Sequence, residues 1–163
     1  NLARTGYARG VPMGGVLRRT ESGAPSFLIH AARDPQGANL DRVQLVKGWM
    51  AADGSLHERI WDVVVSDGRR ILPSGRVERP VGSTVDADAA SYSNTIGSPE
   101  LLAYWKDPDF NADLPAFYYV RVLEIPTPRW TAYDRAYFGT DMDPAVPLVH
   151  QERAYSSPVW YTP

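Results

Sequence analysis

Alternation of apolar and polar residues predicts a hairpin in the first half of the chain. Residues 41–49 and 59–66 each place apolar side chains at alternate positions, which is the pattern of a strand with one buried face. The Ala52-Asp53-Gly54 turn separates the two runs, and an Asp-Gly pair readily adopts the positive φ that a tight turn needs. A short apolar run over residues 27–32, ending at Arg33-Asp34-Pro35, predicts another strand ahead of the hairpin.

Two further runs in the second half predict strands of different kinds. Residues 117–125 are apolar on both faces, which is typical of a central strand covered on both sides. Residues 154–161 have high β propensity, but Pro158 has no N–H to donate and restricts this run to an edge or a bulge. Three positions in the run are predicted to share one buried face: Tyr155, Val159 and Tyr161.

The segments between these runs are rich in Gly, Pro, Ser and Asp and are predicted to be turns and loops. Residues 1–25 belong to this class, and within them residues 10–15 indicate a backbone turn rather than a phosphate-binding loop, because the Lys-Ser/Thr of a P-loop is missing. Residues 73–94 and 126–149 are predicted to be long irregular loops. One short helix is predicted over residues 98–105, which open with a capping Ser, a Pro and an acid.

These elements together predict the fold class. It is mostly β: an antiparallel β-sandwich-like domain with long irregular loops and at most one short helix. We expect residues 1–163 to form a single β-rich domain, since 163 residues with 44% hydrophobic content can bury a core of their own. The chain begins with Asn1 rather than Met, so we expect it to be a portion of a longer parent protein.

Composition excludes several classes of function. The formal net charge of −2 argues against a nucleic-acid partner, because such proteins normally carry a basic excess. No apolar run is long enough for a membrane span. The chain has no cysteine, which excludes disulfides, thiolate nucleophiles and zinc sites built on cysteine.

Acidic residues cluster in the segment 107–113, Asp-Pro-Asp-Phe-Asn-Ala-Asp. The oxygen ligands of Asp107, Asp109 and Asp113 make it a candidate calcium loop. The segment lacks the Gly and the distal Glu of an EF-hand, and ordinary turn chemistry of Asp beside Pro is the preferred interpretation. The sequence identifies no other metal ligand and no catalytic residue in this chain.

The histidines give little support to a metal or catalytic site. His30, His57 and His150 are the only three in the chain, and their spacing matches no metal-binding motif. His30 falls inside an apolar run and is predicted to be a hydrogen-bonded core residue. A small hydrolase that uses a loop aspartate and either His57 or His150 is a third, less favoured hypothesis.

Aromatic residues next to arginines are candidate interaction residues. Trp130 follows Arg129, and Tyr137 lies two residues after Arg135. With Trp160, the candidate interaction residues are Arg129, Trp130, Tyr137 and Trp160. One interpretation is a surface that stacks on a sugar or contacts another domain. The preferred interpretation is core packing, with the arginines extending outward to water.

Several segments together resemble one known family. The chain is similar to the C-terminal part of proteins grouped as domain of unknown function 3604, over nearly its whole length. The segments that carry the resemblance are residues 6–15, 31–42, 44–49, 117–130 and 151–163. The resemblance implies a longer parent related to PHP-type metallohydrolases, often exported in bacteria, with metal motifs upstream of this segment. None of those motifs maps onto this chain, so no catalytic or metal residue is carried over.

These lines lead to one main hypothesis and one alternative. The main hypothesis is a non-catalytic C-terminal accessory domain of a PHP-like metal-dependent hydrolase. It would pack on the N-terminal catalytic domain of the same parent, its partner, with the loops 73–94 and 126–149 shaping the substrate entrance. No cofactor is expected in this chain, and the divalent metal is expected in the catalytic part. The alternative is a free-standing carbohydrate or surface-polymer binding module, which predicts exposed aromatics among Trp105, Trp130, Tyr137 and Trp160.

Overall fold

The computed structural model describes residues 2–19 and 23–163. Over these residues the chain forms ten strands and two helices. In chain order they are α1 (Leu2–Arg9), β1 (Val16–Arg18), β2 (Ser26–Ala32), β3 (Leu40–Met50), β4 (Leu56–Val65), β5 (Glu100–Lys106), β6 (Ala116–Glu124), β7 (Thr127–Pro128), α2 (Trp130–Phe138), β8 (Val149–His150), β9 (Arg153–Tyr155) and β10 (Val159–Thr162). The predicted mostly β class is confirmed.

A six-stranded sheet forms the centre of the fold. Its strand order is β1-β10-β6-β3-β4, and β9 pairs with the far half of β6. All neighbours are antiparallel except β1 and β10. The strand β6 lies between β3 on one side and β9 and β10 on the other, so the predicted central position of residues 117–125 is confirmed. The predicted cover on both faces is wrong, because Phe117 and Tyr119 are only half-buried on the face away from β5.

A ribbon of two antiparallel strands, β2 and β5, packs on one face of this sheet. Ile29 and Ala31 from β2 and Leu101 and Ala103 from β5 join the buried cluster that contains Leu45 of β3. Tilted ring pairs continue the contact, since the centroids of Phe27 and Tyr118 are 4.8 Å apart and those of Trp61 and Trp105 are 5.1 Å apart. The ribbon and the sheet bury the core between them, on one face of the sheet.

The strand β5 replaces the helix predicted over residues 98–105, so that prediction is wrong. Leu101 and Ala103 are buried and alternate with exposed Leu102 and Tyr104, which is the two-residue period of a strand. The hydroxyl of Ser98 donates to the carbonyl of Glu100 at 2.7 Å instead of capping a helix. Seven paired positions with β2 hold the strand, and this tertiary pairing outweighs the local start signal.

Two helices form where the sequence predicts loops, so the limit of one short helix is wrong. Residues 2–9 form α1 and residues 130–138 form α2. The first residue before α2, Arg129, makes no side-chain capping bond, and no acidic residue occupies the first turn of either helix. The usual start signals are therefore missing from α2. The helix α2 ends at Gly139, whose φ of 63° is the left-handed conformation of a helix terminus.

The C-terminal run is divided as its proline indicates. Residues 154–161 fall into β9 and β10, with Pro158 outside both strands. Tyr161 is buried, as predicted, but Tyr155 is exposed, and its assignment to the same buried face is wrong. The two tyrosines lie on separate strands that pair with different halves of β6. The alternation of buried and exposed positions is therefore not continuous from β9 to β10.

Candidate functional site

The outward face of the six-stranded sheet carries a row of aromatic rings. Phe117 and Tyr119 are alternate residues of β6, and their rings stack with centroids 6.4 Å apart. Trp160 pairs with Phe117 across β10, with ring centroids 5.6 Å apart. The ring of Tyr155 on β9 lies 6.3 Å from that of Tyr119. We call this surface, with the neighbouring Arg121, Arg153 and Arg18, the outer sheet face.

This row is accessible to solvent although it consists of large apolar groups. Trp160 is 47% exposed and Tyr155 is 58% exposed, while Phe117 and Tyr119 are half-buried. The exposed side chains of Met50 and Leu56 lie near one end of the row. Contiguous apolar surface of this kind is uncommon on a protein face that contacts only water, and it marks interaction sites.

A cleft opens at the end of the row nearest Trp160. It encloses about 540 Å³, and its walls come from β3, β4, β6 and β10. Gly48 lines the cleft. A Cβ added at this position would lie 2.3 Å from the ring of Phe117. The ring of Phe117 therefore lies against bare backbone. The lining of the cleft includes Gly48, Met50, Glu58, Phe117 and Trp160.

The outer sheet face carries a positive excess. The strand positions that point to it hold four arginines and two acids, in a chain with a net charge of −2. These arginines are Arg18, Arg42, Arg121 and Arg153, and the acids are Glu58 and Asp62. Arg42 is mostly buried and pairs with the buried carboxylates of Asp41 and Asp62. The cations that an approaching anion meets on this face are therefore Arg18, Arg121 and Arg153.

Arg121 is held in place by a chain of buried and partly buried hydrogen bonds. Its Nε donates to Oε1 of Gln44 at 2.7 Å, and Nε2 of Gln44 donates to Oδ1 of Asp62 at 2.7 Å. The other carboxylate oxygen of Asp62 accepts from the backbone N–H of Val77 at 2.7 Å. Within the described part of the chain, the terminal nitrogens of Arg121 make no hydrogen bond. They remain available to a ligand in a fixed orientation.

A second aromatic surface lies on α2. Its four members are 49–84% exposed, and we call them the α2 aromatic face: Trp130, Tyr133, Tyr137 and Phe138. Spacings of three, four and seven residues place the first three on one side of the helix. The guanidinium of Arg129 lies 5.7 Å from the ring of Trp130. The preferred sequence interpretation, core packing, is wrong for Trp130 and Tyr137.

The opposite side of α2 is anchored to the rest of the fold. Thr131 and Ala132 are buried, and the hydroxyl of Thr131 donates to the carbonyl of Pro147 at 2.7 Å. Arg135 donates to the carbonyl of Ala87 at 3.0 Å and also pairs with the carboxylate of Asp88. The anchored helix holds its aromatic face outward.

The predicted calcium loop has a different arrangement. The buried carboxylate of Asp107 accepts hydrogen bonds from Nζ of Lys47 at 2.6 Å, from the hydroxyl of Tyr118 at 2.7 Å and from the N–H of Asp109 at 2.9 Å. Burial, together with this bond to Asp107, raises the pKa of the Tyr118 hydroxyl well above its usual range. Asp107 therefore joins the loop to the core as the partner of a buried lysine.

The other two aspartates of that loop also face cations. Asp109 pairs with Arg59, and Asp113 pairs with Arg19 at 2.8 Å. The structure does not bring the three carboxylates together on one point, and no group of three potential metal ligands occurs among residues 2–19 and 23–163. Calcium binding stays a prediction from the sequence, and the ion pairs give it no support.

The three histidines lie on separate elements. His30 on β2 is exposed, 3.6 Å from a carboxylate oxygen of Glu100, so its assignment to the core is wrong. His150 lies 3.2 Å from Glu152. His57 lies 2.8 Å from the hydroxyl of Ser55.

The contact between Ser55 and His57 does not form a catalytic triad. The hydroxyl of Ser55 donates to Oδ1 of Asp53 at 2.6 Å, and this bond lowers the pKa of the Asp53 carboxyl. In a Ser-His-Asp triad the carboxylate binds the imidazole instead. The three residues brace the turn between β3 and β4.

Comparison with known families assigns the chain to one of them. A family described as "Protein of unknown function (DUF3604)" matches residues 1–163. The chain belongs to this family. No curated protein and no solved structure matches it. The resemblance stated from the sequence is confirmed at the level of the family. Since the family description states no activity, function has to be argued from the two aromatic surfaces.

Sequence reasoning found part of each surface. It selected Trp160, Trp130 and Tyr137 by residue type, and all three are exposed, whereas Trp105 packs partly buried against the core. It missed Tyr119 and Arg121, because residues 117–125 are apolar enough to indicate burial on both faces. The one available signal was the interruption of that run by a charged residue. No helix among the described residues has the length and apolar character needed to cross a membrane.

Proposed function

We propose that this chain is a non-catalytic accessory domain of a longer parent protein. In this proposal it packs on the catalytic domain of a PHP-like metal-dependent hydrolase, which holds the divalent metal, and helps to shape the substrate entrance. The observation that carries the proposal is the α2 aromatic face, four large side chains held outward on an anchored helix.

The size of that face suits a contact between domains. A buried aromatic side chain covers about 150–250 Å², so at the observed exposures the four residues offer roughly 500 Å² to a partner. At about 25 cal/mol per Å² this corresponds to roughly 12 kcal/mol of gross hydrophobic gain, before ordering costs. Burial of this area against another domain would therefore be favourable in free energy.

The segments 73–94 and 126–149 meet at α2, which belongs to the second of them, and this contact supports a role for both at an entrance. Arg135 belongs to the segment 126–149, and its partners Ala87 and Asp88 belong to the segment 73–94. A partner that covers α2 would therefore also lie beside both segments. Loops positioned by a rigid sheet commonly carry binding groups in enzymes.

The contact can be tested by comparing this chain with the protein extended upstream in its reading frame. Hydroxyl-radical footprinting measures the modification of each aromatic side chain. We expect Trp130 and Tyr137 to be modified several-fold less in the extended protein, while Tyr104, exposed on β5, serves as the reference. Equal modification of Trp130 and Tyr137 in both proteins would overturn the proposed contact. Metal-dependent ester hydrolysis by this chain alone would overturn its non-catalytic role.

A second candidate function is a carbohydrate-binding module. The specific observation in its favour is the aromatic row of the outer sheet face, which includes the predicted Trp160. Aromatic rings bind the apolar faces of sugar rings, and strands that hold such rings in a line suit an extended chain. This candidate uses a different surface from the α2 contact, so both roles can coexist in one domain.

A further inference from the structure

We propose that the outer sheet face binds an acidic oligosaccharide, one that carries carboxylate or sulfate groups. This inference rests on the carbohydrate-binding candidate and specifies its ligand class. It combines the aromatic row, the cleft at one end of the row and the arginines at the other end.

The aromatic row provides the stacking surface. Its ring centroids follow one another at 5.6, 6.4 and 6.3 Å from Trp160 through Phe117 and Tyr119 to Tyr155. This spacing is similar to that of successive rings in an extended sugar chain. The rings come from three strands of one sheet, and β9 and β10 pair with the same edge of β6, so the row forms a shallow arc. The backbone hydrogen bonds hold this arc in place without a ligand.

The arginines add a preference for negative charge. Arg121 is two residues beyond Tyr119 on β6, and Arg153 is two residues before Tyr155 on β9. Bonded through Nε to Gln44, Arg121 presents its terminal nitrogens in a fixed plane. A planar guanidinium binds a carboxylate or sulfate through two parallel hydrogen bonds. Phe117 and Arg121 are four strand residues apart, about 13 Å, so one ligand several sugars long can reach both.

The cleft end of the face favours a sugar over a nucleic acid. Glu58 lies in the cleft wall beside Gly48, Phe117 and Trp160. Its carboxylate accepts hydrogen bonds from sugar hydroxyls but repels a phosphate backbone. Single-strand nucleic-acid proteins instead line the whole groove with positive charge. The cleft end holds charges of both signs, since Arg18 pairs with Thr162 of the cleft wall, while Arg121 and Arg153 lie at the other end. Acidic and basic groups beside a row of rings suit a polymer with hydroxyls throughout and acids at intervals.

The test measures binding of the chain to polygalacturonate, to a sulfated galactan and to neutral dextran by affinity electrophoresis or calorimetry. We expect binding to an acidic polymer that weakens as salt is added, and at least about tenfold weaker binding to dextran. Trp160→Ala is expected to weaken binding about tenfold, and Trp160→Phe is expected to restore most of it. Arg121→Gln is expected to weaken acidic-polymer binding about fivefold to tenfold.

The matched control is Trp130→Ala, which removes another exposed tryptophan, 61% against 47% for Trp160, from the α2 aromatic face and is expected to leave polymer binding unchanged. Circular dichroism of each variant checks that the sheet is intact. Equal binding of dextran and acidic polymers, with no effect of Arg121→Gln, would overturn the acidic preference and leave the carbohydrate candidate standing. If the chain bound none of the three polymers, both the acidic preference and the carbohydrate-binding candidate would be overturned. The inference would also be overturned if the chain bound single-stranded DNA more tightly than the acidic polymers. The same holds if Trp130→Ala weakened polymer binding more than Trp160→Ala did.

Discussion

Replacing Asp107 by Ala removes the carboxylate that neutralises a buried lysine. The side chain of Lys47 is 4% exposed, and that of Asp107 is fully buried. Nζ of Lys47 donates to Asp107 at 2.6 Å and to the carbonyl of Asp109 at 2.9 Å. Without Asp107 the ammonium keeps one neutral acceptor and cannot reach water, and breaking a buried pair in this way costs about 3–5 kcal/mol.

This magnitude is large for a domain of this size. Total stabilities lie at about 5–15 kcal/mol, and 1 kcal/mol changes Tm by about 2–4 °C in chains of similar length. We therefore expect Tm to fall by roughly 6–20 °C in Asp107→Ala. Tyr118→Phe removes only one donor to the same carboxylate and is expected to cost about 1–2 kcal/mol.

Urea unfolding followed by tryptophan fluorescence measures the effect as a lower midpoint at an unchanged slope. Asp113→Ala is the matched control, because its carboxylate is exposed and paired with Arg19, so we expect a loss below about 1 kcal/mol. The double variant Lys47→Met/Asp107→Ala should lose at least about 1 kcal/mol less than the sum of the single variants. An additive double variant, or an Asp107→Ala loss no larger than that of Asp113→Ala, would refute the reasoning.

Three further predictions concern packing, pH and calcium. Gly97 has φ +77°, and an added Cβ would lie 2.6 Å from Cγ2 of Ile125. Gly97→Ala should therefore lower the free energy of unfolding, measured in urea, by about 2–4 kcal/mol. The control Gly54→Ala should lower it by about 1 kcal/mol, because Gly54 has φ +83° but open space around it. Burial raises the pKa of Glu124, so stability falls as pH rises from the usual glutamate pKa through the raised value. Glu124→Gln should thus be more stable than the unchanged protein at pH 7, and the difference should vanish below a pH of about 4. An unchanged pH profile of stability would contradict this. Calcium should leave the urea midpoint unchanged, because the carboxylates of the 107–113 segment already face cations; a midpoint that rises with calcium concentration would show binding instead.

Local pattern was sufficient for the elements whose pattern has one interpretation. The Asp53-Gly54 turn and the alternating runs on either side predict β3 and β4, and both form. The apolar run before Pro126 predicts β6 for the same reason, since residues that suit both faces of a sheet suit its centre. In these segments the tertiary structure agrees with the local preference.

Local pattern failed where it fits two structures equally well. The start at Ser98 and the apolar Leu101, Leu102 and Trp105 suit a helical turn, but the same residues pair with β2 along their whole length. Pairing wins because it satisfies the backbone groups and buries Leu101 in the same step. The helix α2 formed although the sequence carried no helix signal for it. Arg129 makes no capping bond, and the aromatic stripe of the helix faces water rather than the core.

For this protein the sequence by itself determined the mostly β class, the hairpin, the central strand and the residue types available for binding. Only the tertiary structure decided which of those residues act together. Trp160 and Tyr155 become neighbours of β6 because two short strands, separated at Pro158, pair with its two halves. Asp107 faces a lysine 60 residues away in sequence. Such contacts depend on strand register and sheet order, which are set by the burial of the whole core rather than by any local run of residues.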